Sequence, residues 1–69
     1  MTKYLVVYEH DEHGWGAYSP DLEGCVAVAE TREEVEQLMA EAIAFHIEGM
    51  REAGLEIPQP GHSYGFVAA

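Results

Sequence analysis

The stretch TREEVEQLMAEAIAFHIEGMREAG, residues 31–54, decides the fold. Thr31 and Glu34 have the spacing of a capping box, with threonine as N-cap and the glutamate reaching back. Glu33, Glu34 and Glu36 suit the positive end of a helix dipole. At 100° per residue, Val35, Leu38, Met39, Ala42, His46, Gly49, Met50 and Ala53 share one arc, with Ile43, Phe45 and Ile47 on its flanks. The spacing predicts a helix of about twenty residues with a wide apolar face. Gly54 supplies the preferred stop, and Pro58 and Pro60 forbid further helix.

Upstream lie three short strand-like runs. Tyr4–Glu9 is rich in β-branched and aromatic residues, with apolar groups on both faces, and reads as a central strand. The polar run His10-Asp11-Glu12-His13-Gly14 reads as a hairpin turn. Trp15–Ser19 is a second strand. Pro20-Asp21-Leu22-Glu23-Gly24 breaks it, because proline lacks a ladder N–H and glycine permits a positive φ. Cys25–Ala29 is a third strand. Downstream of the helix, Leu55–Gly61 is a linker and His62–Val67 a final strand. The expected fold is α+β, in the order β-β-β-α-β. It has a four-stranded mixed sheet of spatial order 3-2-1-4 and one long helix on one face. The other face is left open, which argues for self-association or partner binding.

Sixty-nine residues suit one small domain, residues 1–69, and exclude two lobes with a cleft between them. Hydrophobic residues are 48% and charged residues 23%, so the chain reads as folded. Thirteen Asp and Glu against three Lys and Arg give a formal net charge of −10. Lys3, Arg32 and Arg51 are scattered, which disfavours phosphate contacts and anionic membranes and favours a basic partner. The single cysteine, Cys25, excludes an intramolecular disulfide. No run approaches ~20 apolar residues, and Met1-Thr2-Lys3 leads straight into a strand without a signal-peptide region. A cytoplasmic location follows by default.

Pro20-Asp21-Leu22-Glu23-Gly24-Cys25, then Thr31-x-x-Glu34, then Ile57-Pro58-x-Pro60, resemble in content and order the HicB-like family. These are the antitoxin halves of bacterial and archaeal HicA–HicB toxin–antitoxin pairs. The resemblance implies a partial ribonuclease-H-like fold that binds and blocks a small basic toxin. That toxin has a double-stranded-RNA-binding-like fold, cleaves mRNA and uses a key histidine. Family members usually add a C-terminal DNA-binding module. This chain ends at Ala69, so it reads as a short form without one.

Each candidate site has a plainer reading beside its chemical one. Ribonuclease-H-like nucleases hold two metals on carboxylates around a central strand. Here the first strand offers only Glu9 and the last has no acid, so no catalytic residues are assigned. His10 and His13 flank Asp11 and Glu12, but in a turn rather than on one helical face, so no metal is assigned. No cofactor is expected. Cys25 has no basic sequence neighbour to activate it and reads as a small core residue. His46 lies in the helix's apolar arc and reads as a buried neutral imidazole facing the sheet. Structural roles fall to Pro20, Gly24, Cys25, Thr31, Glu34, His46, Gly54, Pro58 and Pro60. The partner-binding candidates are Trp15, Tyr18, Asp21 and Glu23.

The reading is a non-enzymatic antitoxin that covers the RNA-binding and catalytic surface of a HicA-like toxin. It is expected to be a homodimer or larger, because of the open sheet face and unpaired strand edges. The alternative is a stand-alone ligand- or protein-binding domain with no toxin.

Overall fold

The computed structural model describes residues 2–69; Met1, the first residue of the expected 1–69 domain, lies outside the described residues. β1 is Val7–Asp11, β2 Gly14–Tyr18, β3 Val26–Ala29, and α1 Arg32–Glu52. The three strands form one antiparallel sheet in the order β1-β2-β3.

The register sorts the side chains into two faces. Tyr8, Ala17 and Ala27 form one cross-strand row, and His10, Trp15 and Ala29 the next; these point toward α1. Val7, Tyr18 and Val26, then Glu9, Gly16 and Val28, occupy the opposite face. Alanines under the helix let it approach the sheet. It crosses β3 and β2 and buries Val35 and Met39 against Ala17, Leu22 and Cys25. Leu22 enters this core from the turn between β2 and β3. Backbone bonds from Leu22 N to Ser19 O and from Cys25 N to Leu22 O, both 3.1 Å, hold the turn closed. The buried Ser19 hydroxyl donates to Leu5 O at 2.9 Å, so it carries no unsatisfied donor into the core.

Both ends of α1 follow the capping rules. The Thr31 hydroxyl accepts from the Glu34 amide at 3.2 Å and donates to the Glu34 carboxylate at 3.0 Å. The glutamate therefore reaches back to the hydroxyl of Thr31. At the other end Gly54 takes φ +72°, which only glycine adopts freely. Gly54 N bonds Arg51 O at 3.1 Å and Leu55 N bonds Met50 O at 2.9 Å, the paired bonds of a Schellman motif.

Four expectations need correction. The sheet has three strands, not four: His62–Val67 is exposed and pairs with no strand among the described residues. A short segment containing Gly65 cannot repay its ordering entropy without a ladder partner. Second, the first strand is an edge and β2 is central. Strand 1 runs over Val7–Asp11, not Tyr4–Glu9, and β2 and β3 end and begin one residue inside the expected bounds. Tyr4 and Val6 lie outside the ladder yet pack on the core, which accounts for the two-sided apolarity without a central position. Third, α1 is rotated from the expected arc. Ile43 and Ile47 turn inward with Ala42, while Leu38, Phe45, Gly49 and Ala53 are exposed. The helix lies toward β3, so Leu38 and Phe45 project past that strand's edge. Fourth, His46 is half-buried rather than enclosed.

Candidate interaction surfaces

The linker after α1 is pinned twice. The Tyr4 hydroxyl donates to Pro58 O at 2.6 Å. Asp21 Oδ1 accepts from Gly61 N at 3.1 Å and contacts His62 Nδ1 at 2.7 Å. An ionised carboxylate only accepts, so Nδ1 carries the proton in this contact. The His62 hydrogen bond, aided by the Gly61 amide and the imidazole's charge, outweighs burial and holds the Asp21 carboxyl below its ordinary range. Its Oδ2 is buried without a hydrogen-bond partner. Asp21 thus clips the β2–β3 turn to the C-terminal segment, with its side chain only 7% exposed. Glu23, two residues on, is free at the surface. Gly24 beside it takes the positive φ, +82°, expected of that turn.

Trp15 and Tyr18 stand on opposite faces, because three residues along a strand is an odd step. Trp15 is on the helix side. Its ring stacks on His10 at 4.5 Å between centroids, 29° from parallel. The Arg32 guanidinium lies 4.2 Å from the Tyr8 centroid and 5.5 Å from that of Trp15. One of the chain's three basic side chains is therefore held against aromatic faces, where its charge is favoured. Tyr18 is on the open face, 41% exposed and paired across the sheet with Val26.

The open face has two halves. At the hairpin end Glu9 and Asp11 stand beside Gly16 and Gly14 around a shallow depression bordered by Val28 and Glu30. Asp11 Oδ1 also accepts from His13 N at 2.8 Å, which shapes the turn. At the other end Tyr18, Val26 and Val28 are apolar and exposed. Among the described residues no three of His, Cys, Asp and Glu gather closely enough to hold a metal ion. The central strand Gly14–Tyr18 carries no carboxylate at all. Burial pushes the Cys25 thiol above its ordinary range, away from nucleophilic use.

Three roles escaped the sequence reading. His62 meets Asp21 across 41 positions, a distance at which local pattern carries no signal. Leu22 lies in the expected turn and the polar Ser19 at the end of the expected second strand, two places where burial is not the default. The Arg32 stack depends on strand register, although a lone arginine opening an acidic helix was a visible clue.

These surfaces have known relatives. The family profile described as "HicB_like antitoxin of bacterial toxin-antitoxin system" matches residues 4–67. The chain belongs to this HicB-like antitoxin family. Antitoxin HicB 2 of Photorhabdus laumondii subsp. laumondii is 34% identical over 58 residues, covering 84% of this chain and 42% of that protein. An uncharacterized 14.9 kDa protein from the rep-hol intergenic region of Haemophilus phage HP1 is 38% identical over 56 residues, covering 81% of this chain and 42% of that one. The HicB-like chain thus spans about two-fifths of the length of the curated relatives it matches. A solved chain of a "HicA3 and HicB3 toxin-antitoxin complex" superposes with a TM-score of 0.73 at 28% identity, over 87% of this chain and 70% of that one. The HicB-like antitoxin has no helix among its described residues long and apolar enough to cross a membrane.

Proposed function

We propose that this HicB-like domain, taken as one unit over residues 1–69, is a non-enzymatic binder. It neutralises a small, basic, HicA-like mRNA-cleaving toxin by lying over its RNA-binding and catalytic surface. The observation that carries the reading is the fold's match to a chain of a toxin–antitoxin complex, joined to a net charge of −10. A toxin that grips RNA phosphates needs clustered cationic groups, and an acidic surface competes for those groups directly. The cell compartment is then the cytoplasm, where the mRNA is.

The contact surface is the hairpin half of the open face, with Glu9 and Asp11, continued by Tyr18 and by Glu23 on the turn. Asp21 acts at one remove, by fixing the turn that carries Glu23. Trp15 acts through its cross-strand stack on His10, on the helix side of the hairpin.

The test mixes this protein with the product of the neighbouring gene and follows cleavage of labelled RNA. Cleavage stops when the two are mixed. Glu23→Lys slows association, and Tyr18→Ala speeds dissociation. Added salt weakens the complex, because exposed charges are screened beyond ~8–10 Å at 0.1–0.15 M. If no HicA-like protein is inhibited, the antitoxin mechanism fails and a stand-alone binding domain takes its place.

A further inference from the structure

We propose that residues 63–67 form an arm that lies against an apolar patch of the basic toxin, with Tyr64 and Phe66 as its anchors. The inference rests on the antitoxin reading and adds to it a second contact, of different chemistry from the acidic face. Among the described residues this segment pairs with no strand, and Tyr64 (77% exposed), Phe66 (93%) and Val67 (95%) stand in solvent. The two rings meet edge to face at 6.0 Å, so they present one apolar knob. Aromatic rings bury about 150–250 Å² each when covered. Within the described structure no residue of 63–67 belongs to the core or packs against it. The family profile nevertheless runs through the arm, to residue 67.

Ordering a loose segment opposes binding. Here the root of the segment is already fixed. The Tyr4 hydroxyl holds Pro58 O at 2.6 Å, and Asp21 Oδ1 holds Gly61 N at 3.1 Å and His62 Nδ1 at 2.7 Å. The arm therefore leaves the body at the β2–β3 turn, which also carries Glu23. It begins where the acidic contact surface ends, and only the residues beyond the clip remain to be ordered.

Charge selects the occupant. Residues 57–69 contain no Asp, Glu, Lys or Arg, so the arm can be desolvated without burying an unpaired carboxylate or ammonium. Its root stands beside acids. A basic protein is drawn to Glu23 and then covers the arm, whereas a second copy, with its own net charge of −10, is repelled from the same place. The two contacts divide the kinetics: the acids speed encounter, and the rings slow release.

The test measures association and dissociation rates between this protein and the HicA-like product of the neighbouring gene, with amide exchange on the free and bound chain. Phe66→Ala and Tyr64→Ala each raise the dissociation rate on the order of tenfold. Both leave the association rate and the melting temperature unchanged, since the side chains are exposed. Raising the salt shrinks the effect of Glu23→Lys and leaves that of Phe66→Ala as it was. Amides of residues 63–67 exchange fast in the free chain and slowly in the complex. A double variant, Tyr64→Ala with Phe66→Ala, that is released no faster than the unaltered chain overturns the arm contact and leaves the antitoxin reading standing. So do arm amides that stay fast in the complex, or that are already slow in the free chain because the arm packs on its own domain or on a second copy. If the unaltered chain binds no HicA-like protein, the antitoxin reading fails and the arm contact falls with it.

Discussion

Val26–Ala29 and Tyr64–Val67 are both four-residue apolar stretches, and they behave in opposite ways. The first pairs residue by residue with β2 and lies under α1. The second is exposed, with Phe66 at 93% and Val67 at 95%, and its two aromatic rings meet each other, edge to face at 6.0 Å. Their intrinsic strand preferences do not explain the difference. β3 follows a closed turn that places it beside β2, and its alternate residues Ala27 and Ala29 have a helix to pack against. The tail follows Asp21's clip at residues 61 and 62, and no strand is presented to it there. A strand here is the product of a partner and a covered face.

The largest effect falls on the core that seats β3. Leu22→Ala removes a side chain that is only 1% exposed and leaves a cavity under α1. The expected loss is about 2–5 kcal/mol. Total stability is only ~0.05–0.15 kcal/mol per residue, so the variant should be largely unfolded in mild denaturant. A urea midpoint unchanged from the parent would show that the turn is not part of the core.

Thr31→Ala comes next. It deletes both the acceptor for the Glu34 amide and the donor to its carboxylate, at about 0.5–2 kcal/mol. The melting temperature should fall, because α1 is what covers β3. An unchanged melting temperature would break the link between cap and sheet.

The clip at Asp21 makes the comparison depend on pH. Its carboxyl is held below the ordinary value of 3.8, chiefly by His62, so the folded chain binds fewer protons there than the unfolded one. That stabilisation is complete above the ordinary value and is lost as pH falls through the lower folded value. Asp21→Asn should therefore differ from the parent at neutral pH and converge on it in acid. Denaturation curves for the two proteins that stay parallel into strong acid would show that the carboxylate's charge plays no part.

The smallest effect belongs to the tail. Phe66→Ser should leave stability within about 0.5 kcal/mol, as for other exposed sites. A clear drop in melting temperature would mean that the tail packs, and would bring the two stretches together again.

What could be read from the chain follows from how local each cause is. The Thr31 cap, the Gly54 stop, the helix between them and the three antiparallel strands all rest on neighbours within a few positions. The same holds for the turn at Gly24 and the burial of Cys25. The fourth strand required a partner from the other end of the chain, and no pattern within His62–Val67 reports on that. The rotation of α1 toward Ile43 and Ile47 is set by where β3 lies, which a helical wheel does not contain. Tyr18's place on the open face was legible; the opposite placement of Trp15 was too, given period-two alternation. Asp21 was noticed for its charge, whereas its carboxylate is largely consumed by His62 and Gly61.

Cys25 gives the molecule a built-in clock. Its thiol is 3% exposed, seated against the core, and burial keeps it protonated. An alkylating reagent can reach it only when the β2–β3 turn swings away from α1. The labelling rate of this one sulfur therefore counts openings of the native structure, with no probe added and no second thiol to confuse the count. The same shelter means that oxidants in the cell meet this cysteine about as often as the domain comes apart.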